Sequence, residues 1–76
     1  MVHAFVMVKT AAGTSESLLE GISAIEAVVD AHIVAGTYDI IAEIDVAEVY
    51  EVMEVVSTGI QGFEDVEETK TYIGLS

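Results

Sequence analysis

Ala35-Gly36-Thr37-Tyr38-Asp39 sets a glycine, a phenol and a carboxylate side by side between two apolar, alternating runs. A carboxylate at a turn can accept a charge-assisted hydrogen bond from a cationic group. Backbone N–H groups in an open turn can hold an anionic one. Gly36 would let a ligand approach the backbone closely. The ring of Tyr38 suits a pocket wall or an interface, because it has an apolar body and a polar tip. A purely local account competes: Asp39 caps the hairpin backbone, and Gly36 supplies an unusual dihedral.

The other candidate groups carry weaker chemistry. His3 and His32 stand on separate strands, and two lone histidines fall short of the three or four ligands of a metal site. Glu64, Asp65, Glu67 and Glu68 lack the residue order of a calcium loop and read as a solvated acidic surface. No nucleophile–base spacing, phosphate-binding glycine loop or CxxC motif appears. The expectation is no catalytic residue, no metal and no cofactor.

The elements around the turn follow from periodicity. Val2 to Lys9 reads as a strand that is apolar on both faces, with His3, Phe5 and Met7 on one and Val2, Ala4, Val6 and Val8 on the other. Ala11-Ala12-Gly13 breaks it. Thr14 or Ser15 then opens a helix with Leu18, Leu19, Ile22 and Ile25 at helical spacing, which Gly21 weakens without ending. Val28 to Gly36 and Asp39 to Val46 read as two strands. With only two or three residues between them, they form an antiparallel hairpin. Val49, Val52, Met53, Val56 and Ile60 predict a second amphipathic helix, with Glu48, Glu51 and Glu54 outward and Gly59 and Gly62 at its end. Val66 to Leu75 is the last strand. The order β-α-β-β-α-β is the ferredoxin-like arrangement, an α+β fold with two helices on one face of a four-stranded antiparallel sheet. Two helices leave the other face bare, yet the first strand is apolar there too. A second copy of the sheet is the simplest cover.

Length and charge narrow the function. The 76 residues make one domain, and a core this small usually needs a staple. There is no cysteine for a disulfide, so oligomerisation is the remaining staple. No apolar run is long enough for a membrane span and no signal pattern appears, so the expected location is the cytoplasm. Fourteen acidic residues face only Lys9 and Lys70, a net charge of −12. That charge repels phosphate backbones and argues against direct nucleic-acid binding. At 53% hydrophobic residues the chain still folds. The acidity points to a salt-loving source, since self-repulsion of this size destabilises a compact state at low salt.

The opening Ala4-Phe5-Val6-Met7-Val8, the Gly36-Thr37-Tyr38-Asp39 turn and the ending Phe63-Glu64-Asp65-Val66-Glu67-Glu68-Thr69 resemble the effector-binding half of the Lrp/AsnC transcription regulators, the RAM domain. The resemblance covers essentially the whole chain, residues 1–76, and the Gly-x-Tyr-Asp turn is its most specific piece. Regulators of this family carry an N-terminal helix-turn-helix domain; this chain starts at the first strand and resembles the stand-alone members. The stretch Gln61-Gly62-Phe63 stands where the family more often has a proline-glycine pair. The resemblance implies a dimer through the sheets and a ring of dimers. It implies amino-acid effectors bound between dimers near the turn. Carried over by position, Gly36, Tyr38 and Asp39 line that site, with Thr58 and Gln61 as further candidates. Asp39 would then take the effector's ammonium.

The sequence therefore reads as an oligomeric amino-acid sensor without DNA binding of its own, with a full-length Lrp/AsnC-type regulator as its expected partner. Two other classes compete. A cofactor-free monooxygenase on a dimeric ferredoxin-like barrel would use His3, His32 and Tyr38, and needs an internal cavity that a chain this short has little room for. A purely structural assembly module would need no pocket at all.

Overall fold

The computed structural model describes residues 1–75. Its elements are β1 (Val2–Thr10), α1 (Ser15–Ser23), β2 (Val28–Ile33), β3 (Ile40–Val46), α2 (Val49–Glu54) with a π-helical continuation (Val55–Ile60), and β4 (Val66–Ile73). The strands form one antiparallel sheet in the order β2-β3-β1-β4, the ferredoxin-like α+β arrangement.

The two-sided apolar strand, β1, takes a central place between β3 and β4. Its even residues Ala4, Val6 and Val8 are fully buried, with Ile40, Ala42 and Ile44 of β3 beside them. Leu18 and Ile22 of α1, and Val52, Val56 and Ile60 of the second helical stretch, close this core from one side. The odd residues His3, Phe5 and Met7 face the other way and stay half-exposed. The edge strands β2 and β4 carry Asp30, Glu67, Glu68 and Lys70, charges of the kind that discourage unwanted pairing at an edge.

Gly21 lies inside α1 for a packing reason. A β-carbon there would sit 2.8 Å from the ring of Phe63, so the missing side chain is the notch that seats that ring.

Two boundaries differ from expectation. The hairpin connection is six residues, Val34 to Asp39, rather than two or three, because β2 ends at Ile33 and β3 begins at Ile40. The Val34 N–H donates to the Asp39 carbonyl at 2.8 Å and closes the loop at its base. The Asp39 N–H turns instead to the Val8 carbonyl of β1, at 2.9 Å. The last strand stops at Ile73, and Leu75 is exposed.

The second helix also buries a narrower stripe than its periodicity predicts. Val49 and Met53 are exposed, and Val52, Val56 and Ile60 alone are buried. The π geometry explains the spacing of four: the Gln61 N–H reaches back five residues to the Val56 carbonyl, at 2.8 Å. The wider turn keeps residues four apart on one face. Glu51, expected on the outer face, folds back instead. Its carboxylate accepts from the Ala47 and Glu48 N–H groups at 2.8 and 2.9 Å and caps the start of α2. Gly62 closes the π turn, where a β-carbon would lie 2.7 Å from the Thr58 carbonyl oxygen.

Candidate functional site

The turn is anchored from below by Asp39. Its Oδ2 accepts a hydrogen bond from the Thr10 N–H at 2.8 Å and another from the Thr10 hydroxyl at 3.2 Å. Thr10 is buried, and its hydroxyl also meets Ser15 Oγ at 2.9 Å. Asp39 therefore ties the turn to the end of β1 and the start of α1. β1 shifts register against β4 at this point, between Lys9 and Thr10. The shift leaves the Thr10 N–H in need of a partner, and the carboxylate supplies one.

Above this anchor the turn is open. Gly36 is exposed, and no atom outside its neighbours lies within 4 Å of where a β-carbon would stand. Its φ is not positive either; among the described residues only Gly13 has a positive φ. Neither packing within the chain nor an unusual dihedral accounts for this glycine. Tyr38 is half-buried, and its hydroxyl donates to Glu68 Oε2 of β4 at 2.7 Å. That bond to a carboxylate, more than desolvation or the nearby charges, pushes the Tyr38 phenol above the usual tyrosine range. The ammonium of Lys9 donates to the Thr37 carbonyl at 3.3 Å.

Thr58 and Gln61 lie elsewhere in the protomer. The Thr58 hydroxyl donates to the Glu54 carbonyl at 2.6 Å, a local helix bond. Gln61 Nε2 donates to Thr69 Oγ1 on β4 at 2.7 Å. Thr69 pairs with the inward-facing Val8, whereas Glu68 pairs with Lys9. Neighbouring strand residues point to opposite faces, so Gln61 and Tyr38 meet β4 from opposite sides. A depression of about 170 Å³ beside β2 is lined by Ser23 and the stretch Val28 to Ala31. A wider one, about 400 Å³, lies between α2 and the end of β3, with Glu26, Asp45, Glu51 and Glu54 around it. None of the five expected site residues lines either depression.

The bare sheet face sets apolar side chains beside charged ones. Phe5 and Met7 of β1 lie beside Glu43 and Ile41 of β3, and beside Tyr72 and Lys70 of β4. His3 stacks edge-on against Phe5, with ring centres 5.1 Å apart. Its Nδ1 contacts Asp45, and its Nε2 lies 2.8 Å from Glu43. His32 pairs with Asp30 at 3.0 Å on the edge strand. His3 sits at the opposite end of β1 from Lys9 and the turn. At about 3.3 Å per residue, that is on the order of 20 Å. His3, His32 and Tyr38 therefore do not converge as a catalytic group. Among the described residues no cluster of three or more His, Asp or Glu side chains could hold a metal, and no helix is long and apolar enough to cross a membrane.

Sequence reasoning missed three participants. Thr10 is the buried partner of Asp39. Lys9 and Glu68 flank the turn from β1 and β4. Glu68 looked like one residue of an acidic surface run. The clue available was the rarity of cations, since Lys9 is one of only two.

This four-stranded sheet, with its long β2–β3 turn and one bare face, is a ferredoxin-like α+β domain. The family model for the Lrp/AsnC ligand binding domain matches residues 3–76, and the chain belongs to that family. Among solved structures it is similar to the Thermus thermophilus protein TTHA0845, with 32% identity, a TM-score of 0.96, and coverage of 100% of this chain and 95% of that one. It is similar to the hypothetical protein PHS023 of Pyrococcus horikoshii, with 28% identity, a TM-score of 0.92, and coverage of 100% and 92%. It shares its fold with the Neisseria meningitidis transcriptional regulator NMB0573, solved as a complex with L-Met. There the identity is 13%, the TM-score 0.88, and the coverage 99% of this chain and 50% of that one. No curated protein matches the chain.

Proposed function

We propose that the chain is a cytoplasmic amino-acid-sensing domain that assembles through its bare sheet face and binds its effector at the β2–β3 turn. It modulates Lrp/AsnC-type regulation through protein contacts, without touching DNA itself. The observation that carries the reading is Gly36: a glycine in a ligand-binding-domain family, at a turn where nothing in its own chain requires one. The L-Met complex of the meningococcal regulator supports an amino acid as the effector class. Gly36 and Tyr38 contact the effector, and Asp39 holds the turn that presents them. Thr58 and Gln61, on the far side of β4, join the site only from a neighbouring dimer. The net charge of −12 supports the exclusion of nucleic acid.

Phe5, Met7, Ile41 and Tyr72 support the sheet-to-sheet dimer, since an exposed apolar patch of this kind ordinarily marks an interface. Two measurements test the reading together. Light scattering should give a dimer or a multiple of dimers, and a Phe5→Glu, Met7→Glu variant should give monomer. Thermal shift against the proteinogenic amino acids should raise the melting point for at least one. A ligand at 100 times its Kd adds about 2.7 kcal/mol. Assembly with no amino-acid response would favour a purely structural module, the reading consistent with the absence of the five residues from either depression.

A further inference from the structure

Lys9 and Glu68 are direct cross-strand partners in the β1–β4 register, at the end of the bare face beside the turn. Opposite charges placed this way ordinarily attract. Among the described residues these two form no ion pair with each other. Lys9 reaches the Thr37 carbonyl at 3.3 Å, and Glu68 accepts the Tyr38 hydroxyl at 2.7 Å. One positive and one negative head group are thus drawn apart, each to one of two consecutive turn residues. Lys9 keeps further N–H donors and Glu68 keeps a second oxygen.

The surroundings make this pair unusual. A surface with fourteen acidic residues repels a free carboxylate, so a cation beside the N–H groups of the turn strengthens a site for one. Lys9 is one of two such cations in the chain, and it stands at the turn. The backbone at Gly36 is open on the same turn.

We propose that Lys9 and Glu68 are the charge-reading pair of the turn site, Lys9 binding the carboxylate and Glu68 the ammonium of a free α-amino acid. The zwitterion would span the gap that the two side chains leave unpaired. The assignment rests on the reading of the turn as the effector site, and it gives the ammonium to the exposed Glu68 in place of Asp39, which is half-buried and tied to buried Thr10. It demands that both charged ends of the amino acid be free. Tyr38 positions Glu68 as a hydrogen-bond donor.

The test pairs variants with blocked ligands. The proteinogenic amino acid giving the largest thermal shift with the wild type is taken with its α-amide and its N-acetyl derivative, and binding is measured by calorimetry. Lys9→Met should weaken the amino acid by about 10- to 100-fold, the range expected for a charge-assisted hydrogen bond. It should leave the amide, which has no carboxylate, unchanged. Glu68→Gln should weaken the amino acid by a similar factor and leave the N-acetyl derivative unchanged. Wild-type affinity in both variants overturns the pair while leaving the turn as the effector site. Equal losses for free and blocked ligands also overturn it, because they mark a structural effect. If no amino acid shifts the wild type, the effector reading falls, and this assignment with it.

Discussion

Asp39→Ala should destabilise the fold before it does anything to a ligand. The carboxylate accepts the backbone N–H of buried Thr10 at 2.8 Å and its hydroxyl at 3.2 Å. A hydrogen bond to a charged group contributes about 1.5–3 kcal/mol, and alanine also leaves the Thr10 N–H without its acceptor. For a domain of this size each 1 kcal/mol moves Tm by about 4–8 °C, so the expected loss is about 6–24 °C. Asp39→Asn keeps a neutral acceptor and should lose about half as much, since charge assistance roughly doubles such a bond. Thermal melts by circular dichroism, at one protein concentration because assembly couples to stability, measure both. A cycle with Thr10→Val, which removes the hydroxyl and keeps the N–H, isolates the weaker bond. An Asp39→Ala melt within about 2 °C of wild type would refute the anchoring role, and the whole carboxylate would then be free for a ligand.

Further expected outcomes concern Tyr38, Gly62 and the net charge. Phenolate absorbance should show one tyrosine titrating above the usual range; Tyr38→Phe should abolish that component and Glu68→Gln should lower it. Because the folded value is raised, the Tyr38–Glu68 bond contributes fully below the ordinary tyrosine value and is lost as pH rises through the folded one, so any stability change from Tyr38→Phe should fade in strong alkali. Gly62→Ala places a β-carbon 2.7 Å from the Thr58 carbonyl oxygen, and should cost about 1–3 kcal/mol by chemical denaturation. Melting points should rise with salt, because the −12 charge and the Glu16–Glu20 pair repel across about 30 Å at 0.01 M but only about 3 Å at 1 M; a flat or falling series would remove repulsion as the meaning of the acidity.

The order of elements and the division of the sheet into two faces were legible in the residues alone, because both follow from local periodicity. Alternation in β1 divided Ala4, Val6 and Val8 from Phe5 and Met7, and counting two helices against four strands left one sheet face bare, while the fold decided which set is the core. The turn announced itself through Gly36, Tyr38 and Asp39, whose types suit a site wherever the chain places them. Their partners are a different matter. Thr10 lies 29 residues from Asp39, and Glu68 lies 30 from Tyr38. Local pattern carries no record of such distances. Register decides them: β1 against β4 sets Lys9 opposite Glu68, and a slip of one residue would send Glu68 to the helix side. The exposure of Met53, in α2, and the return of Glu51 to cap its own helix are likewise choices of packing and hydrogen bonding. Residue type offered each of those side chains more than one role, and only the folded contacts selected among them.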